Sequence, residues 1–245
     1  MRVILCILLT VSMVGCTADS QEAEGLPRSA KNKAQPKSSS EPKQEGAAEK
    51  NLPAKKTAPK QVSKPSSDVG QQAPAFTLTS YEGGQISLSA HSGKVVVLEW
   101  YNPDCPFVKY AYNEGPMKKL IAESVAKGVV WLGINSGAPG NQGHGAETNL
   151  RSKKAWGLSH AILEDADGSV GRLYGATRTP EVVVVGKNGK IAYRGALDTS
   201  RGAKPDPEDA YTNYTANAIA AVLAGDAVSA PTSTPPWGCT VKYKR

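Results

Sequence analysis

Apolar and polar positions divide this chain into three stretches of different texture. Residues 3–14 run apolar with little interruption. Residues 17–68 carry Lys, Pro, Ala, Ser, Glu and Gln, and no aromatic residue occurs before Phe76. From Val69 onward, short apolar runs alternate with breaks marked by Gly, Pro, Asn and Asp, the texture of a folded domain.

Within that domain the pattern predicts elements one by one. Ala75 to Thr79 alternates as a short strand, and Glu82-Gly83-Gly84 turns the chain into Ile86-Ser87-Leu88. Val95 to Tyr101 is apolar nearly throughout, as a central strand covered on both faces requires. A helix is expected after Cys105, broken at Gly115-Pro116 and restarted from Pro116 toward Lys127. Val129 to Asn135 is a strand, Ser136 to Gly145 a Gly-rich loop, and Ala146 to Trp156 a helix. Ala161 to Leu163 is a short strand, and the turn Asp165 to Gly168 leads into a short helix ending near Tyr174. Lys187-Asn188-Gly189 joins Val182–Val185 to Ile191–Arg194 as a hairpin. A terminal helix is expected from Asp209 to Ala224, followed by a Pro-rich tail carrying Cys239. Strands alternating with helices and closed by a hairpin indicate an α/β sandwich with a mixed sheet.

The two outer stretches change the picture. Met1-Arg2 followed by a short apolar run has the build of a secretion signal, too short to span a bilayer. Met13-Val14-Gly15-Cys16 resembles a bacterial lipoprotein box, which makes residues 1–16 a lipoprotein signal peptide and Cys16 the lipidated mature N-terminus. An ordinary signal peptide cut nearby is the competing reading. Residues 17–68 are expected to be a disordered Lys/Pro/Ser/Glu-rich linker, because such a composition cannot bury enough apolar surface to offset ordering entropy. The chain carries 29 Lys and Arg against 22 Asp and Glu. Part of that excess sits on the tether and no nucleic-acid motif accompanies it, so nucleic-acid binding is not indicated. The expected location is the bacterial cell envelope, with membrane attachment through the lipid. Thr17, rather than aspartate, follows Cys16, which implies the outer membrane, facing the periplasm, in a diderm host.

Of the four cysteines, Cys6 leaves with the signal and Cys16 carries lipid, so Cys105 and Cys239 remain as thiols. Cys105 follows an apolar strand and a short turn, and Pro106 fits the first position of the helix it opens. A helix N-terminus offers unpaired N–H groups and partial positive charge, which stabilise a thiolate. Glu99, six residues earlier on the same apolar strand, is either a desolvated acid able to move protons or a hydrogen-bonded strand residue without a role. Asp104 offers a helix cap, but its charge opposes a thiolate beside it; Lys109 offsets that. His91, His144 and His160 are scattered, and Gly137, Gly140, Gly143 and Gly145 follow no phosphate-binding pattern. No metal and no organic cofactor are called for.

Four segments in order carry a resemblance. They are Gly70 to Phe76, the strand-turn-cysteine run ending Asn102-Pro103-Asp104-Cys105-Pro106, Leu163 to Gly168, and Tyr174 to Pro180 with Lys187-Asn188-Gly189. Together they resemble the thioredoxin-like redoxins, including alkyl hydroperoxide reductase and thiol-specific antioxidant relatives, over about residues 69–225. The resemblance implies a thioredoxin-like three-layer α/β sandwich with a central mixed β-sheet at residues 69–225, followed by a tail at 226–245. It implies a cis Thr179-Pro180 bond facing Cys105, with Thr179 binding substrate through its main chain. It implies that Cys105 is the nucleophile of a thiol-disulfide oxidoreductase with antioxidant-type activity. The partners would be a thiol or disulfide protein, or a peroxide, and an external thiol reductant.

The chain also departs from the family pattern. Val108 stands where thioredoxins carry a second cysteine, and Asn102 and Leu98 stand where peroxiredoxins carry the Thr or Ser and the Pro that contact peroxide. Cys239 in its aromatic-flanked tail is the candidate resolving thiol, folding back over Cys105; a free surface thiol is the alternative. A one-cysteine thiol peroxidase and a non-catalytic envelope binding module remain the rival readings.

Overall fold

The computed structural model describes residues 67–204 and 210–245. The expected signal segment with Cys16, the linker apart from its last two residues, and Asp209 lie outside the described residues. Among those that are described, no helix is long and apolar enough to cross a membrane.

The strands are β1 (Thr77–Ser80), β2 (Gln85–Ser87), β3 (Val96–Trp100), β4 (Val130–Asn135), β5 (Ala161–Glu164), β6 (Arg178–Thr179), β7 (Glu181–Val185), β8 (Ile191–Gly195) and β9 (Cys239–Thr240). The α-helices are α1 (Pro106–Asn113), α2 (Met117–Ala126), α3 (Ala146–Trp156), α4 (Ser169–Tyr174) and α5 (Tyr214–Ala224). Seven strands form one sheet in the order β2-β1-β5-β4-β3-β7-β8, while β6 and β9 form a separate two-stranded ladder. The pairs β3–β4 and β4–β5 are parallel; β7 runs antiparallel to β3, and β8 to β7. The sheet is therefore mixed, as expected.

β3 is buried at every position because β4 and β7 flank it and both of its faces are covered. Alternation then splits its side chains. Val97 joins Val182 and Val184 under α1, α2 and α5, in a core with Val108, Tyr112, Met117 and Ile219. Val96, Leu98 and Trp100 pack on the other face with Val183, Val170 and Tyr174. Two cores on two faces of one sheet make three layers. α3 reaches the first core through Trp156, which stacks on Tyr112 with ring centroids 4.7 Å apart.

Two boundaries differ from the expectation. α5 begins at Tyr214, not near Asp209, because Asn213 caps it by accepting from the Ala216 N–H at 2.9 Å. Just upstream, Thr212 exchanges bonds with Thr199, which commits that backbone to a neighbouring loop. At the other end, Ser67 belongs to the folded unit: Arg194 donates to its carbonyl at 2.9 Å and its hydroxyl bonds the Tyr174 carbonyl.

Burial assigns unequal costs to apolar positions. Leu98→Ala, at a wholly buried site in the second core, is expected to lower unfolding stability by about 2–5 kcal/mol in urea titration. Val125→Ala on the exposed side of α2 should stay within about 0.5 kcal/mol of the parent.

Candidate active site

β3 delivers the chain to a tight turn that ends at Cys105. The Asn102 carbonyl accepts from the Cys105 N–H at 3.1 Å, and its side-chain oxygen accepts from the Asp104 N–H at 3.0 Å. The Asn102 amide in turn donates to the Gln142 carbonyl, and the Gln142 amide to the Asp104 carbonyl. The turn is thus tied to the Gly-rich loop. Gly143 in that loop has φ +80°, and a Cβ there would stand 2.0 Å from the Asn102 oxygen, so only glycine fits.

Cys105 is the N-cap residue of α1 with Pro106 as the first helical residue. Asp104 does not cap the helix, contrary to one sequence expectation, because the cap position falls on Cys105 itself. Its carboxylate pairs with Lys109 at 3.9 Å, and both side chains are well exposed, so the pair contributes little.

The Cys105 side chain is completely shielded from solvent. Its Sγ–H donates to the Thr179 carbonyl at 3.2 Å. The Thr179-Pro180 peptide is cis. Glu181, buried at the start of β7, holds this loop: its Oε2 accepts from the N–H groups of Thr177 (2.8 Å) and Arg178 (3.1 Å), and its Oε1 lies 3.7 Å from Arg194.

The C-terminal tail packs against the core that contains Cys105, through Trp237 and Cys239. Thr234 bonds the Arg194 carbonyl through its N–H, and its hydroxyl meets Tyr193 at 2.7 Å and the Ala196 N–H at 2.9 Å. The Trp237 indole donates to the Asp198 carbonyl at 2.8 Å and its ring packs on Phe107. β9 then pairs antiparallel with β6, setting Cys239 opposite Thr179 and Thr240 opposite Arg178. Beyond it the Val241 N–H donates to the Thr177 carbonyl, the Tyr243 hydroxyl to the Ala176 carbonyl, and Arg172 lies over the Tyr243 ring.

This register brings the two thiols together. Burial, and then the neighbouring Cys105 sulfur, push the Cys239 thiol up to about 11; the Lys242 charge and the Phe107 N–H act in the opposite sense. Both cysteines are free thiols.

Glu99 is fully buried, and its two partners belong to the core that also contains Cys105. Its Oε2 accepts from the Tyr112 hydroxyl at 2.7 Å and from the Trp131 indole at 2.9 Å, while Oε1 has no partner. Burial raises its pKa from 4.5 to about 7, against the opposing pull of those two donors. With both donors on Oε2, a proton is accommodated on Oε1.

The structure therefore gathers Cys105, Cys239, Thr179 and Pro180 into one cluster and sets Glu99 against the core that Cys105 joins. Sequence reasoning missed Glu181 and the role of Asn102. The only signal for Glu181 was an acid opening an otherwise apolar strand directly after Pro180.

The raised Glu99 pKa has a defined sign. The native state holds this proton more tightly than the unfolded chain, so the Glu99 contribution is full below pH 4.5 and declines as pH rises toward about 7. The stability difference between the parent and Glu99→Gln, which mimics the protonated acid, should shift against the parent by on the order of 3 kcal/mol between pH 4 and 8. Urea titrations of both proteins across that range measure it, and a flat difference would contradict the assignment.

The sequence profile of the AhpC/TSA family matches residues 69–194. The thiol-disulfide oxidoreductase ResA of Halalkalibacterium halodurans is 31% identical over 123 residues, which cover 50% of this chain and 65% of that protein, slightly under two thirds of its length. Among solved structures, a hypothetical protein of Sinorhizobium meliloti 1021 superposes with a TM-score of 0.64 at 26% identity, covering 72% of this chain and 95% of that one. An uncharacterized conserved protein of Geobacillus kaustophilus gives 0.62 at 28% identity, covering 72% and 93%.

Proposed function

Because this chain belongs to the AhpC/TSA family, we propose that it is a thiol-disulfide oxidoreductase in which Cys105 is the nucleophile and Cys239 its intramolecular partner. One observation carries the reading: β9 seats Cys239 opposite Thr179, whose carbonyl holds the Cys105 thiol at 3.2 Å. Two free thiols meeting at the start of a helix form a redox pair, although Val108 occupies the usual position of a second cysteine.

The exchange runs in two steps. The Cys105 thiolate attacks one sulfur of a substrate disulfide; that S–S bond breaks, a Cys105–substrate disulfide forms, and the departing sulfur takes a proton. Cys239 then attacks the Cys105 sulfur and expels the second substrate thiol, leaving a Cys105–Cys239 disulfide. Two electrons pass from the protein to the substrate, and an external dithiol restores them. Thr179, beside Pro180, offers its main chain to the substrate. Glu99, titrating near neutrality, serves as the proton-holding group behind Cys105.

The sequence of residues 1–16 supports a finer proposal about place: export, lipidation at Cys16, and attachment to the envelope membrane, the outer one in a diderm host. Fatty-acid labelling of the expressed protein should be lost in Cys16→Ser; labelling that persists, or is absent from the parent, removes the anchor.

Peptide mass mapping tests the chemistry. Mild oxidation of the purified protein should yield one cross-linked peptide pair containing Cys105 and Cys239, reversed by dithiothreitol. In Cys239→Ser the same treatment with a disulfide reagent should leave a stable adduct on Cys105. Cys239 remaining free while Cys105 is hyperoxidised would mean that Cys239 does not resolve.

A further inference from the structure

β6 is a two-residue strand, and among the described residues its ladder partner is β9 of the protein's own tail. With the tail lifted, the Arg178–Thr179 edge would lie open beside the Cys105 thiol. Any extended chain that paired there in the register of β9 would place its own cysteine where Cys239 sits. The tail thus occupies the ground that a protein substrate needs.

The fit of the tail also states what such a substrate must look like. Gly238, directly before Cys239, has φ +114°, and a Cβ at this position would stand 2.1 Å from the Thr179 carbonyl oxygen. That atom is backbone, in a loop held by the Glu181 bonds to the Thr177 and Arg178 N–H groups, so it is not free to swing aside as a flexible side chain would. Two residues before the cysteine, Trp237 rests on Phe107 at the first turn of α1. After the cysteine, Thr240 ends the strand, and just beyond it the Val241 N–H reaches the Thr177 carbonyl.

Building on the oxidoreductase reading, in which Thr179 offers its main chain to the substrate, we propose that the protein's own tail competes for the β6 edge, and that the edge selects protein segments that pair as a strand from the reacting cysteine onward and carry glycine in the bend immediately before it. Substrate and Cys239 then exclude one another. The substrate enters by displacing the tail, and the returning tail both resolves the mixed disulfide and ejects the product. Recognition comes from main-chain pairing plus a steric demand at one position, the mode of strand addition to a free sheet edge.

The test uses the full chain carrying Cys239→Ser, so that adducts on Cys105 are stable. Two hexapeptides are compared, one copying residues 237–242 and one with alanine in place of its glycine, each with its cysteine activated as the mixed disulfide with 2-nitro-5-thiobenzoate. Release of the coloured thiol gives the rate and mass mapping gives the site. The glycine peptide is expected to load Cys105 at least about tenfold faster than the alanine peptide, roughly 1.4 kcal/mol of discrimination. Adding Gly238→Ala, which unseats the protein's own tail, should speed loading by the glycine peptide while preserving the preference. Equal rates for the two peptides in both variants would overturn the docking proposal. So would labelling of Cys105 by the small reagent 5,5′-dithiobis(2-nitrobenzoate) but by neither peptide, an outcome that leaves the exchange chemistry standing. Failure of the small reagent to label Cys105 in the Gly238→Ala background would instead remove the oxidoreductase reading on which the proposal rests.

Discussion

One backbone carbonyl, that of Thr179, sits at the junction on which the site depends. On one side it accepts the Cys105 thiol; on the other it lies against Gly238 of the tail. Its position follows from Glu181, whose buried carboxylate takes the N–H groups of Thr177 and Arg178 and so fixes the loop leading into Pro180. A buried carboxylate is costly unless it is well supplied with donors. Here the donors are the backbone of the loop that must be held still, so the polar group and the rigidity are one device.

The second constraint is the dryness of the first core. Glu99 is the acid within a cluster of Val, Tyr and Trp side chains, and the two donors it meets, Tyr112 and Trp131, come from different elements. α1 therefore carries Cys105 at its start and the Tyr112 partner of Glu99 at its far end. A change in the charge of Glu99 is felt by the same helix that presents the thiol, through a hydroxyl that must donate to a carboxylate or share a proton with a carboxylic acid.

Much of the fold was legible because it rests on strong local signals. The run Val95 to Tyr101 could only be a strand covered on both faces, Gly115-Pro116 broke the helix where α1 gives way to α2, and Lys187-Asn188-Gly189 turned β7 into β8. Cys105, Cys239, Glu99, Thr179 and Pro180 were all named from the sequence, and the structure gathers four of them and sets the fifth against the same core. What escaped had no periodicity to read. β6 and β9 are two residues each and sixty residues apart, so their pairing leaves no pattern in either segment. Glu181 reads as the first residue of an apolar strand, and Asp104 lost the cap position to Cys105 by a single residue. The start of α5 was misplaced because a side-chain cap at Asn213, not the upstream composition, decides where the helix begins.

The tail is fastened on both sides of Cys239: Thr234 is clasped by Tyr193 and Ala196, and Tyr243 is held by Ala176 and Arg172. A strap pinned at two points does not peel from its end; it arches. In the proposed exchange, a segment around Cys239 that leaves β6 while these flanks hold would keep the cysteine within a few residues' reach of Cys105. The effective concentration of the second thiol is then set by a short tethered loop instead of by a free-swinging terminus. On that proposal reclosure would be an intramolecular event that an external thiol must outcompete, and the lifetime of a mixed disulfide on Cys105 would be set by the stiffness of the arch.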